Sequence, residues 1–114
     1  MELVFWIDQN TFASKLLEKV FKKQNLGFYT LENVRDFSYL VIDLKPTMIV
    51  LDEKTAQEGL EELKKQFQAT PEMQKLPYVI VGETEEFSFL NVVGSIKRPF
   101  DPYKIPELLK KFQQ

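Results

Sequence analysis

Two aspartates and one arginine are the residues of this 114-residue chain best placed for chemistry. Asp8 follows the apolar run Leu-Val-Phe-Trp-Ile at 3–7, and Asp52 follows Met48, Ile49, Val50 and Leu51. Runs without polar alternation read as strands covered on both faces, as parallel strands of α/β proteins are. The end of such a strand delivers the next residue to the rim of the sheet, where open α/β folds place ligands and chemistry. Gly82 closes a third run, Tyr78 to Val81, and Arg98 follows a short last strand around Ile96. Two acids, one cation and a glycine then meet at one rim, the only site the sequence assembles.

The residue types that are missing narrow what this site can do. Cysteine and histidine are both absent, which removes disulfides, thiolate nucleophiles, Cys/His zinc sites, Ser-His-Asp triads and phosphohistidine transfer. Apolar residues make up 44% and charged residues 28% of the chain, the composition of a soluble globular protein with room for one core and one domain, 1–114. The net charge is -2, from 17 acids and 15 bases scattered along the sequence. That balance argues against a nucleic-acid or anionic-membrane footprint and for protein or small-ligand partners. Met1 to Asp8 has five consecutive apolar residues bounded by acids and no basic n-region. It is neither signal peptide nor membrane span, and a cytoplasmic location is expected.

The elements between the strands must carry the rim. Asn10 or Thr11 can cap a helix with Phe12, Leu16, Leu17, Val20 and Phe21 on its apolar face, and Gly27 suits a left-handed turn at its end. Phe28 to Leu31 is a short strand nearer an edge. Val34, Phe37, Val41 and Leu44 mark a second helix stopped before Pro46, and Leu60, Leu63 and Phe67 mark a third beyond Gly59. The segment 83–95 has space for only one or two helical turns, around Phe87, Phe89 and Leu90. Asp101 can cap a last helix with Pro102 in its first turn and Leu108, Leu109 and Phe112 facing the core, while Pro106 delays or kinks its start. This alternation predicts a flavodoxin-like α/β fold: a five-stranded parallel sheet of order 2-1-3-4-5, helices on both faces and a shortened fourth helix. Strands 1 and 3 are then neighbours, and Asp8 meets Asp52.

Ile7-Asp8-Gln9, Pro46 through Asp52, Leu76-Pro77-Tyr78-Val79-Ile80-Val81 and Lys97-Arg98-Pro99-Phe100-Asp101-Pro102 together resemble the response-regulator receiver domains of two-component signalling, over essentially the whole chain. The resemblance implies that Asp52 stands at the phosphoacceptor position and that Asp8, Gln9 and Asp52 stand where the family holds Mg²⁺. Gln9 replaces one of the family's two acids, so a Mg²⁺ site here is weakened. Gly82 stands where the family has Ser or Thr, and its hydroxyl is lost. Arg98 takes the place of the family's lysine with a planar donor set of different reach. Ser95 replaces the switching aromatic, Lys54-Thr55 replaces a Met-Pro pair, and the Arg98-Pro99 bond is implied to be cis.

These departures favour an atypical, or pseudo, receiver: a non-enzymatic module that acts by protein-protein interaction with little or no aspartyl phosphorylation. The alternative is a working receiver in which Asp52 takes a phosphoryl group from a histidine kinase through a weakened Mg²⁺ site. On the first reading Asp8 and Asp52 bond loop amides and Arg98. Phe87, Phe89 and Leu90 either fill the space of a full fourth helix or stay exposed as a docking patch. A flavin or nucleotide site is disfavoured, because Asp8-Gln9-Asn10-Thr11 is not a glycine- or hydroxyl-rich phosphate cradle.

Overall fold

The computed structural model describes residues 2–113, so the terminal residues of the expected 1–114 domain, Met1 and Gln114, lie outside it. Five strands, β1 (Leu3–Ile7), β2 (Gly27–Leu31), β3 (Met48–Asp52), β4 (Tyr78–Val81) and β5 (Val92–Ile96), form one parallel sheet in the order β2-β1-β3-β4-β5. Successive strand residues point to opposite faces, and each face builds its own core. Phe5, Ile7, Ile49, Leu51, Tyr78 and Ile80 pack under α2 (Phe37–Leu44), α3 (Glu53–Glu58), α4 (Leu60–Ala69) and α5 (Pro71–Gln74). Val4, Trp6, Met48, Val50, Val79 and Val81 pack under α1 (Thr11–Lys23) and α6 (Ile105–Phe112). β3 is buried at all five positions, which is why its sequence lacks alternation. Among the described residues no helix is long and apolar enough to cross a membrane.

Several local expectations are corrected. Phe12 is 84% exposed instead of lying on the buried face of α1, which Ser14, Leu17, Val20 and Phe21 form. Asn25, not Gly27, adopts the left-handed conformation after α1 (φ 56). Gly27 opens β2, where a Cβ would stand 2.6 Å from the Glu2 carbonyl oxygen. Val34 is buried in the loop ahead of α2, and Leu44 at the end of that helix is exposed. The stretch Glu53–Glu58, expected as a connection, is itself helical, with Asp52 as its N-cap.

β5 is a full five-residue edge strand, longer than the short one expected around Ile96. It is reached from β4 by a crossover holding one 3-10 turn, Glu85–Phe87. Phe87 and Leu90 are buried and Phe89 is half-buried against Phe67. They fill the space of the shortened fourth helix and form no docking patch. Asp101 accepts from the Tyr103 amide and caps a 3-10 turn, Pro102–Lys104, after which Pro106 sits in the first turn of α6, where its missing N–H has no helical acceptor to lose.

The charges, scattered in sequence, are sorted in space. α1 and the segment 97–113 carry nine basic and three acidic residues, whereas the rest of the chain carries six basic and fourteen acidic. Both basic segments cover the same face of the sheet. One side of the molecule is therefore strongly positive, and the overall charge of -2 does not describe it.

Candidate functional site

The rim at the C-terminal ends of β1, β3, β4 and β5 brings the sequence-derived residues together. Asp8 and Asp52 are 2% and 7% exposed, on neighbouring strands paired through Ile7 and Leu51. Arg98, two residues beyond β5, spans both. Its Nη2 donates to Asp8 Oδ2 at 3.1 Å and to Asp52 Oδ1 at 2.8 Å. The guanidinium also lies over the ring of Phe100, 5.6 Å from its centroid, and Phe100 packs against the buried indole of Trp6. Partial burial opposes the charge of Arg98, but the hydrogen bonds and charges of Asp52 and Asp8 outweigh it and hold its pKa above the ordinary value. The Arg98-Pro99 peptide bond is cis.

The remaining carboxylate oxygens are engaged as well. Asp8 Oδ1 accepts from the Asn10 amide at 2.9 Å. Asp52 Oδ2 accepts from the Thr55 amide at 3.1 Å and the Thr55 hydroxyl at 2.8 Å. The same hydroxyl oxygen accepts from the Gln9 amide at 3.0 Å, so Thr55 ties the loops after β1 and β3 together. Sequence reasoning missed this role. The available signal was Asp52 three residues before Thr55, the spacing at which an N-cap side chain meets a helix amide.

Gly82 adopts φ 126, outside the range that other residues readily take. Glu53 covers it: a Cβ on Gly82 would stand 2.7 Å from the Glu53 Cβ and collide with its carboxylate. Glu53 Oε1 accepts from the Glu83 amide at 2.8 Å, and Oε2 accepts from Gln57 Nε2 at 3.0 Å. Position 82 thus lacks a hydroxyl and has no room for the carbon that would carry one. An open cleft of about 780 Å³ lies above these groups, lined also by Gln9, Asn10 and Lys54.

This donor set does not fit a divalent cation as it stands. A hard cation takes anionic oxygens with free lone pairs and demands near-octahedral geometry if it is Mg²⁺. Arg98 already engages one oxygen of each aspartate, while backbone amides and Thr55 engage the others. Gln9 contributes its backbone amide, and its residue is otherwise exposed. No group of three His, Cys, Asp or Glu side chains able to hold a metal occurs among the described residues. Asp8, Gln9 and Asp52 are adjacent, as the sequence implies, but they do not form an open metal cup.

No protein-family model matches the chain, and no curated protein is similar to it in sequence. Solved structures are similar in fold. A response regulator from Desulfuromonas acetoxidans superposes with a TM-score of 0.80 at 11% identity, covering 99% of this chain and 97% of that one. The chemotaxis response regulator CheY4 of Vibrio cholerae gives 0.79 at 14% identity, covering 98% of each chain. A receiver domain protein (CheY-like) from Methanospirillum hungatei gives 0.73 at 17% identity, covering 99% and 94%. The chain has the five-stranded, flavodoxin-like fold of response-regulator receiver domains.

Proposed function

We propose that residues 1–114 act as one degenerate receiver module in a two-component signalling setting in the cytoplasm, working by protein-protein contact and without an aspartyl phosphorylation cycle. The observation that carries this reading is the single guanidinium nitrogen shared by Asp8 and Asp52. A covalent cation of the chain occupies the place between the acids, so the rim holds one charge arrangement without a metal. A switch needs an element with two arrangements that a ligand biases differently. Here Gly82 and Ser95 stand where the family carries the hydroxyl and the aromatic that sense a phosphoryl group.

The basic face supplies the surface. Phe12, Ala13, Leu16, Pro99, Phe100 and Pro102 line an apolar hollow of about 450 Å³ beside the rim, next to the exposed Tyr103. A partner protein with an acidic surface and an apolar side chain to seat there matches both properties, and a histidine kinase is one candidate. The test is an amide NMR titration with Mg²⁺ and then beryllofluoride. The expected result is no saturable shift at Asp8, Asp52 or Gly82 at millimolar Mg²⁺ or after beryllofluoride. Saturable shifts at those residues, spreading to 87–98, would make Asp52 a phosphoacceptor and overturn the reading.

A further inference from the structure

Glu53 is the feature of the rim that neither the fold nor the Arg98 contacts account for. It sits at the first position of α3, yet its side chain turns across the cleft to the loop after β4. There it meets the Glu83 amide, a donor at the end of a strand with no carbonyl of the sheet opposite it. Lys54 lines the same cleft, as does Arg98, whose charge Asp8 and Asp52 pair, so without Glu53 the open side of the rim would present an N–H group and the Lys54 ammonium. Such a set attracts a small oxyanion. The one anion held on that amide is the carboxylate of Glu53, admitted because position 82 is glycine.

We propose that Glu53 is a built-in occupant of the rim: its carboxylate fills the oxyanion position at the Glu83 amide, pins the 82–91 loop to the start of α3 and excludes external oxyanions. This rests on the reading of the domain as a module whose rim is satisfied from within, and extends it from the cation to the anion. Arg98 supplies the internal cation and Glu53 the internal anion. Occupancy is the essential point. A carboxamide at position 53 still offers Glu83 an oxygen acceptor and fills the same space, whereas a methyl group does neither.

The test uses the whole chain, labelled with ¹⁵N, as wild type, Glu53→Gln and Glu53→Ala, with inorganic phosphate as the probe and the fluorescence of Trp6 as the check of folding. In Glu53→Ala the Glu83 amide exchanges roughly tenfold faster, as the loss of its hydrogen-bond acceptor implies. Phosphate then gives saturable shifts at Gly82 and Glu83 in the millimolar range. Wild type and Glu53→Gln keep slow exchange and show no saturable shift. Should Glu53→Ala not fold, Glu53→Ser, too short to reach Glu83, replaces it. Unchanged exchange in the shortened variant, or the same phosphate response in all forms, overturns the proposal. So does Glu53→Gln behaving like Glu53→Ala, since the effect would then be charge and not occupancy. Mg²⁺ binding by the wild type would defeat the reading of Arg98 while leaving this result intact, so the two fail separately.

Discussion

Removing the guanidinium should both destabilise the protein and create the metal site it now lacks. Asp8 Oδ2 and Asp52 Oδ1 lie 3.1 and 2.8 Å from one nitrogen, so they are no more than about 6 Å apart. Two like charges at that distance repel by about 3 kcal/mol at an effective dielectric constant near 20. The side chain of Arg98 is 42% exposed, so water that enters in its place screens part of this. The expected loss for Arg98→Ala is about 2 kcal/mol, or a fall in Tm of roughly 8 °C for a domain of this size. The same change frees one oxygen on each aspartate to face a common point. Mg²⁺ at 10 mM, binding with a Kd of about 1 mM, then restores about 1.4 kcal/mol, whereas the wild type gains nothing from it. Thermal melts of both proteins with and without Mg²⁺, followed by Trp6 fluorescence, read these differences. A variant as stable as wild type, or equal stabilisation of both by Mg²⁺, refutes the account of Arg98 as the cation of the rim.

Two further outcomes follow from contacts around the same sheet. Thr55→Val keeps the volume but removes the hydroxyl that serves both Asp52 and the Gln9 amide; a loss of about 1–2 kcal/mol in urea unfolding is expected, with faster exchange at Gln9. Tyr78 is buried and its hydroxyl donates to the Met73 carbonyl at 2.9 Å; burial pushes its pKa up from the ordinary value. A raised folded pKa means that the unfolded chain releases this proton first. The contribution is complete below about pH 10 and declines above it, by up to about 1.4 kcal/mol per pH unit. Tyr78→Phe loses about 1 kcal/mol at neutral pH and shows a shallower alkaline decline than wild type; parallel declines in the two proteins would remove Tyr78 as the cause.

The parts of the fold that were legible in the sequence are those whose burial is uniform or strictly periodic. β1, β3 and β4 are almost wholly buried, so apolar runs mark them and the carboxylates that end two of them. Asp8, Asp52, Gly82 and Arg98 could be brought to one rim from those runs and the strand order alone. α3 was hidden because its six residues bury only Thr55 and Ala56, which leaves no apolar period to read. The length of β5 was hidden because Val92 to Ser95 alternate between half-buried and exposed, with Gly94 approached by the ring of Phe112, and only Ile96 is buried. Phe12 misled because the buried face of α1 runs through Ser14, Leu17, Val20 and Phe21, and Phe12 lies off that face. Charge sorting was invisible for a related reason: α1 and α6 lie far apart in sequence and side by side on the sheet.

The two ion pairs of Arg98 also make the centre of the sheet depend on its edge. Arg98 is 90 residues from Asp8 and 46 from Asp52, and β5 is separated from β1 in the sheet by β3 and β4. Contacts of such separation close long loops, whose entropy cost the rest of the sheet must offset. Without Arg98, pairing β1 with β3 sets Asp8 beside Asp52 with no arginine between them, an electrostatic penalty that the residue following the edge strand relieves. A nascent chain or fragment ending before Arg98 therefore holds its own core strands less firmly than their apolar content implies. A residue at the edge of the sheet makes two strands at its centre compatible.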